Sequence, residues 1–377
     1  MKCGKFGTIT IRSSTMKKLS ICIAVYNQIE LVKKNLDLIM QYRNNDIEVV
    51  ISDDCSTDDI QGLAESYGDK RIVYVKTKQN GGHDLNILNA LEAATGEYAL
   101  VLRSRDLVIP EKISNILETI NSNEECGYYL FSALDETGVQ TLFLSDKKYE
   151  SGKDAIYAHR HLITHPSGNI YNLQFVDCSK LRIAINKSFS HKYGFTVHEL
   201  LRMELACKGP FYTSKDTTWI YANTINQKDT AVNSLPNKQS VYDPKYGYER
   251  LTCCFYYIKD SIDTTIENKY LLYKEAFRKY FKSITYDFGQ INKSKGHQQH
   301  YNFSEIIFSP QKERINFIHK SKEMLSEIDN TTRNKVIHFL YKYSILLAYY
   351  YPVRDYFFNH FFSLEVKRKI AKAIRHL

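Results

Sequence analysis

The feature that most constrains the fold is a regular alternation of two patterns between residues 19 and 103. Four nearly continuous apolar runs have the length of a β-strand: LSICIAV, IEVVISD, RIVYVK and EYALVL. Between them lie segments with apolar residues at helical spacing, of which NQIELVKKNLDLIMQY is the clearest. Strands that alternate with helices predict an α/β, Rossmann-like fold with a mostly parallel sheet and helices on both faces.

The chain of 377 residues has room for about two domains. The strand and helix alternation gives way to mixed patterns after about residue 123, and long aromatic and basic helical stretches begin near residue 243. We therefore predict a leader at 1–16 as a candidate for disorder, an α/β domain at 17–230, and a helical domain or extension at 243–377.

Polar residues cluster where three of the predicted strands end, and in parallel sheets ligands bind outside the carboxyl ends of the strands. The segments are VYNQ after the first strand, SDDCSTDD after the second and RSRD after the fourth. A helix start explains Ser56 to Asp59, because hydroxyls and acids are favoured there. It does not explain adjacent Asp53 and Asp54, which repel unless a ligand or a counter-charge uses them.

These segments, in this order and together with NGGHDLNILNALEAATGEYALVL, resemble the family 2 glycosyltransferases of the GT-A fold. The resemblance is strong over residues 19–120 and weak to about 225. It implies an inverting glycosyltransferase that moves a sugar from a nucleoside diphosphate sugar to a glycan or lipid-linked glycan. The family analogy points to bacterial surface polysaccharide synthesis, such as capsule, O-antigen or lipooligosaccharide.

The resemblance also implies where the donor lies. Ala24, Tyr26 and Asn27 would line the nucleoside pocket. Asp54 would accept a hydrogen bond from the base, with Asp53 beside it, because a base such as uracil offers an N–H donor.

The main departure from the family pattern is the segment Arg103, Ser104, Arg105, Asp106, which stands where the family carries D-x-D-D. Guanidinium groups bind phosphate oxygens and stay charged. We therefore predict that Arg105, with Arg103, replaces the divalent metal that commonly stabilises the leaving diphosphate. No metal site and no cofactor is expected, unless Asp106 recruits Mg²⁺ or Mn²⁺. The alternative is that one arginine forms a structural ion pair with Asp53, Asp54 or Asp106.

Inverting transfer needs a base near the acceptor hydroxyl. The segment TVHELLRMELACKG resembles the family helix that carries this base and ends at Gly209. Its register places His198 at the usual acid, with Glu199 next to it, and a histidine can act without a large pKa shift. The alternative is a surface His-Glu pair at a helix N-terminus.

His159, His161 and His165 lie near a Pro-Ser-Gly turn. Because no acid or cysteine is interleaved at helical spacing, a turn is favoured over a zinc site. His165 is a further candidate for contact with the donor phosphates or the acceptor.

The formal net charge of +9 favours an anionic partner. Basic residues are spread along the chain without a nucleic-acid signature, so nucleic acid is not predicted. The eight cysteines are scattered, which favours reduced thiols and a cytoplasmic protein.

The tail at 356–377 has an apolar helical face beside Lys and Arg. This pattern suits an anionic membrane surface at the inner face of the cell membrane. It equally suits docking on its own domain or on a second copy in a homo-oligomer.

Two other functions stay open. One is a transferase that uses a different activated donor, such as a nucleoside monophosphate sugar or a non-sugar phosphodiester. The other is a catalytically silent GT-A module that binds nucleotide or glycan.

Overall fold

A computed structural model describes residues 18–159, 165–187, 196–222, 244–287 and 309–350. It confirms the α/β class, the mostly parallel sheet and a helical C-terminal region. The predicted leader at 1–16, His161 and the basic tail at 356–377 lie outside the described residues.

One mixed sheet forms the centre of the protein, and its first four strands are the four apolar runs. The described strands are β1 Leu19–Val25, β2 Ile47–Asp53, β3 Ile72–Lys76, β4 Tyr98–Arg103, β5 Leu107–Val108, β6 Tyr128–Asp135, β7 Gln140–Leu142, β8 Lys147–Tyr149, β9 Asn169–Asn172 and β10 Phe211–Tyr221. The sheet order is β3-β2-β1-β4-β9-β6-β10-β5, with β7 beside β6 and β8 beside β10. Strands β1 to β4 are parallel to one another, and β9 is antiparallel to both β4 and β6.

Helices connect the strands and continue beyond them. The described α-helices are α1 Ile29–Ile39, α2 Ile60–Ser66, α3 His83–Ala93, α4 Ile113–Asn121, α5 Lys153–His159, α6 Cys178–Asn186, α7 Thr196–Lys208, α8 Pro244–Asp260, α9 Ile266–Lys282, α10 Pro310–Leu325 and α11 Asn330–Ile345. Several begin at a side chain that caps the free amides of the first turn, such as Asp59 before α2 and Asp177 before α6. Short π-helical turns follow α9 and α11.

Two hydrophobic clusters cover the two faces of the sheet. One combines β1, β2 and β4 with α1 and α4. The other runs from α3, α6 and α7 into α8 to α11, where the rings of Phe281 and Phe317 stack with centroids 4.5 Å apart. The C-terminal helices therefore share a core with the α/β part. The boundaries 17–230 and 243–377 stay a prediction.

Candidate functional site

The sheet brings the three polar segments together. Strand β1 lies between β2 and β4, and all three run parallel. Ala24 is paired with Arg103 on one side, and its neighbour Val25 is paired with Asp53 on the other. Their carboxyl ends therefore meet at one edge, which is where the fold class predicts a ligand site.

The turn after β1 is fastened to the turn after β2. The Asn27 amide donates to Ser56 Oγ at 2.7 Å, and Asn27 Oδ1 accepts from the Thr57 amide at 2.9 Å. Asn27 has φ of 58°, which asparagine tolerates better than most residues. Tyr26 projects outward with 39% of its surface exposed, and Ala24 is half-buried. Tyr26 is thus available for a ligand, whereas Asn27 holds the turn.

Asp53 is fully buried and serves the structure of its own turn. Its carboxylate accepts from the Ser56 amide and from the Tyr74 hydroxyl, each at 2.7 Å. Lys76 Nζ lies 3.5 Å from the same carboxylate. These groups supply the partners that an adjacent pair of acids requires.

Asp54 organises the start of helix α3. Its two oxygens accept from the amides of Gly81 and Gly82, each at 2.8 Å, and Thr77 Oγ1 lies 3.3 Å away. Gly82 has φ of 88°, a conformation that favours glycine. Burial raises the pKa of Asp54, although these donors partly oppose the effect.

The next acid in this region connects α3 to α7. Asp84 is fully buried, and its carboxylate accepts from the amides of Thr196 and Val197 at 3.0 and 3.3 Å. These are the first residues of α7, so a carboxylate caps the helix that carries His198. The predicted donor turn and the predicted base are thereby linked through α3.

Arg103 forms the structural ion pair that the sequence left open. Its Nε and Nη2 donate to the two oxygens of Asp106 at 2.7 and 3.0 Å. Asp106 has no exposed surface, and it also accepts from Ser167 Oγ and, at 3.1 Å, from the Ala222 amide. Burial alone raises the pKa of this carboxyl, but Arg103, His165 and Ser167 outweigh it and hold the pKa below its usual value.

Arg105 is placed differently. It is half-buried, and within the described part of the chain it makes no ion pair and no side-chain hydrogen bond. Burial and the neighbouring Arg103 lower its pKa, yet a guanidinium stays charged at neutral pH. The turn is fixed by Ser104, whose hydroxyl donates to Gln28 Oε1 at 2.6 Å and whose carbonyl accepts from Asn35 at 2.7 Å.

His165 lies against the Arg103 and Asp106 pair. Its Nδ1 accepts from the Ser167 amide at 3.1 Å, so Nε2 carries the hydrogen and points toward Asp106 at 3.8 Å. The ring stacks on Trp219 with centroids 5.3 Å apart. Burial and the two arginines of the turn lower its pKa to about 3, so the imidazole is neutral.

Gly168 permits this packing. A side chain there would meet the Trp219 ring at 2.3 Å, and its φ is +81°. The Pro-Ser-Gly segment is therefore a turn that supports the site.

His198 is completely buried, which corrects two expectations. It is not part of a surface pair, and its pKa is shifted strongly: burial, His83 and Arg202 hold it well below the usual value. Its Nδ1 lies 2.8 Å from the Tyr171 hydroxyl. Its Nε2 has no hydrogen-bond partner among the described residues.

Glu199 points away from His198 into the C-terminal helices. Its carboxylate accepts from Lys279 and from the Tyr280 hydroxyl, and Cys254 Sγ lies 3.9 Å away. Burial tends to raise the pKa of Glu199, but Lys279 outweighs it and the pKa is lowered. The alternative of a surface His-Glu pair is wrong for this residue too, because Glu199 joins α7 to α9.

The residues present do not suit a divalent metal at the D-x-D position. Both oxygens of Asp106 are occupied by Arg103, Ser167 and the Ala222 amide. Nowhere in the ranges given above do three His, Cys, Asp or Glu side chains come together as metal ligands would. A cation would also meet the positive charge of Arg105.

Sequence reasoning missed several residues that build the site. Ser167, Trp219 and Ala222 contact the predicted residues from elements far away in the sequence, and Asp84 caps the helix that carries His198. Only Ser167 carried a signal, because it stands in the Pro-Ser-Gly turn beside His165.

Comparison with protein families finds a match over residues 20–174 to the model described as Glycosyl transferase family 2. Among curated proteins, the chain is similar to UDP-Glc:alpha-D-GlcNAc-diphosphoundecaprenol beta-1,3-glucosyltransferase WfaP of Escherichia coli, at 30% identity over 33% of this chain and 51% of that protein. It is also similar to abequosyltransferase RfbV of Salmonella typhimurium, at 30% identity over 37% of this chain and 38% of that protein. An uncharacterized glycosyltransferase of Rickettsia typhi is 29% identical over 36% of this chain and 43% of that protein. The chain spans about half or less of the length of these relatives.

Among solved structures, the chain is similar to TarS of S. aureus in complex with UDP-GlcNAc, with a TM-score of 0.58 and 17% identity over 87% of this chain and 88% of that one. Another crystal structure of TarS gives a TM-score of 0.56 and 19% identity over the same shares. At this identity the likeness concerns the fold, and it extends past the α/β part into the C-terminal helices.

Proposed function

We propose, on the premise that residues 20–174 form a family 2 glycosyltransferase domain, that this protein is an inverting glycosyltransferase. It takes a sugar from a nucleoside diphosphate sugar and transfers it to a glycan or lipid-linked glycan. The observation that carries the proposal is Arg105, a cation without an acidic partner among the described residues, at the edge where three strand ends meet. An anionic donor supplies the counter-charge that this position lacks.

The two arginines stand where the family has metal-binding acids, and each has a different role. Arg103 is neutralised by Asp106 and stiffens the turn. Arg105 remains to contact the diphosphate and to stabilise the charge that grows on it as the sugar leaves. The proposed mechanism needs no metal cofactor, because Asp106, the acid left at the D-x-D position, is already occupied by other donors.

The nucleoside lies over the outer part of the same edge. Tyr26 is exposed there and offers a ring face for the base. Asp54 lies directly beyond β2, and a carboxylate oxygen has lone pairs for more than one donor, so it can accept from the base as well as from the glycine amides.

We assign the base to His198. In the tautomer whose Nδ1–H donates to Tyr171, the Nε2 lone pair is free to accept the proton of an acceptor hydroxyl. The lowered pKa keeps the imidazole neutral at physiological pH. Because the ring is buried, the acceptor must displace the side chains that cover it. Glu199 is not free for this task, since Lys279 and Tyr280 hold it.

The acceptor proposal draws on the relatives. The E. coli protein is named for a diphosphoundecaprenol-linked substrate. We propose a lipid-linked acceptor in surface polysaccharide synthesis, used by a cytoplasmic enzyme at the inner face of the membrane.

Exposed side chains on helix α11 and the turn after it support the proposal that the protein binds an anionic membrane surface. Tyr341, Ile345 and Tyr349 are exposed at a spacing of four residues. This stripe precedes the basic tail at 356–377. None of the described helices is long and apolar enough to cross a bilayer.

Calorimetric titration tests the donor proposal. UDP, GDP, CDP, dTDP and CMP are each titrated in excess EDTA and again with Mn²⁺. Micromolar binding of one diphosphate in EDTA, unchanged by Mn²⁺ and lost in Arg105→Ala, is the expected result. Binding that requires Mn²⁺ would contradict the arginine mechanism. Preference for CMP would favour another activated donor, and no binding would favour a catalytically silent module.

A further inference from the structure

A cavity lies away from the strand ends, between α6, α8 and α10. Its volume is about 560 Å³, which is in the range of small-molecule sites. The side chains of Ile183 and Ala184 form one wall. Tyr248, Tyr256 and Tyr257 form the opposite side.

The cavity has a cationic end. Lys320 Nζ lies 4.0 Å from the ring centroid of Tyr248, and Lys245 is one turn before Tyr248 on α8. Lys187 follows the last turn of α6, one turn beyond Ala184, whose carbonyl accepts from Cys253 Sγ at 3.5 Å. All three lysines line the cavity.

Acids cancel only part of this polarity. The lining includes Glu249, which lies with the lysines, and Asp260, which lies at the opposite end of α8. Glu313 of α10 also acts on Tyr248 through its charge. Among the described residues, the cationic end therefore has three lysines against Glu249 and Glu313. It is also the end at which α8 begins, where the helix dipole favours an anion.

Tyr248 provides the second sign of a ligand. Its hydroxyl oxygen is buried and has no hydrogen-bond partner within the described ranges. Burial raises the pKa of this phenol, so it is a protonated donor. A buried donor without an acceptor destabilises a fold unless something accepts from it.

We propose that this cavity binds the lipid phosphate end of the acceptor, with the hydrocarbon chain between the tyrosine rings and the phosphate or diphosphate among the lysines. The Tyr248 hydroxyl donates to a phosphate oxygen. This inference rests on the proposed function for its acceptor class, but the site is separate from the donor edge.

The test is calorimetric titration of the full-length protein with farnesyl diphosphate, a soluble prenyl diphosphate, and with inorganic diphosphate. We expect farnesyl diphosphate to bind at least tenfold more tightly than inorganic diphosphate, because the cavity also takes the chain. Lys320→Glu should weaken farnesyl diphosphate at least tenfold. Lys312→Glu, the same change at an exposed position on α10, should leave it unaltered. Tyr248→Phe should weaken it several-fold without loss of folding.

UDP titration of the same samples separates the two proposals. Equal UDP affinity in all variants is expected. UDP binding without farnesyl diphosphate binding would overturn the lipid phosphate site and leave the proposed function standing. Farnesyl diphosphate binding without binding of UDP, GDP, CDP or dTDP would keep the site and overturn the donor assignment. Displacement of farnesyl diphosphate by UDP, or equal affinity in Lys320→Glu, would place the probe elsewhere and overturn this inference.

Discussion

The strongest prediction concerns the two arginines of the RSRD turn, which differ in what their removal leaves behind. Arg103→Ala leaves Asp106 as a buried carboxylate without its bidentate partner. Breaking a buried pair costs about 3–5 kcal/mol of unfolding free energy. Asp106 keeps the donors Ser167 and the Ala222 amide, and 13% of the Arg103 side chain is exposed, so we expect about 3 kcal/mol. Arg105→Ala removes a half-buried cation that has no ion pair with any described residue, and we expect a loss of less than about 1 kcal/mol.

The two variants should rank in the opposite order in activity, with the larger loss of turnover in Arg105→Ala. Loss of one donor that stabilises a growing negative charge lowers turnover on the order of 10²- to 10³-fold. We expect this loss for Arg105→Ala, measured as turnover of the nucleotide sugar whose diphosphate binds in the titrations, and a partial recovery in Arg105→Lys, which restores charge without the planar fork. Urea denaturation of the same samples gives the stability difference. If Arg105→Ala unfolds as easily as Arg103→Ala, or retains wild-type turnover, the division of roles between the two arginines is wrong.

Three further predictions follow from buried charges and from the tail. His165 has a folded pKa of about 3. The unfolded chain therefore takes up the proton first, and stability present above about pH 6.5 is lost as pH falls toward 3. His165→Phe should keep the stacking on Trp219. Between pH 6 and 4, the free energy of unfolding, measured by urea titration, should depend on pH with about one proton less than in the wild type. An unchanged pH dependence would contradict the burial argument. Glu199→Gln should lower the free energy of unfolding by about 2 kcal/mol, because Lys279 loses its carboxylate. The main effect of His198→Ala should instead be a loss of turnover. If Glu199→Gln instead lowers turnover with unchanged stability, the roles of the two residues are reversed. Deletion of 356–377 should abolish cosedimentation with anionic vesicles but not with neutral ones; if binding persists, or if size-exclusion chromatography shows loss of a dimer instead, the tail docks on protein.

The sequence predicts the fold best where the determining interactions are local or periodic. The four apolar runs are strands because each is short and nearly continuously apolar, and the helices between them have repeating apolar faces. The meeting of Ala24, Asp53 and Arg103 at one edge also follows from sequence. Parallel strands joined by helices place their carboxyl ends on the same side.

The partners of the site residues follow from no local pattern. Asp54 binds amides 27 and 28 residues away, and Asp106 binds Ser167 and Ala222 from two other elements. Helix α7 shows the same limit most clearly. Its sequence reads as partly polar, yet ten of its thirteen residues are buried because it lies between the sheet and the C-terminal helices. A surface location for His198 was therefore a reasonable but wrong alternative. The burial of α7 on all sides depends on helices that come later in the sequence and pack against it.

The acids at the strand ends explain why Arg105, which has no ion pair in the described part of the chain, matters. Asp53 holds its own turn, Asp54 holds the start of α3, and Asp106 holds Arg103. Each of these three carboxylates is thus already engaged by other donors. A half-buried positive charge without an ion pair among the described residues is unfavourable in the free protein, and burial and Arg103 lower the pKa of Arg105 although Asp106 partly opposes them. Binding of an anion relieves that unfavourable term and adds charge-assisted hydrogen bonds, so the turn is arranged to favour the ligand-bound state and most of all the state in which the phosphate carries its greatest charge.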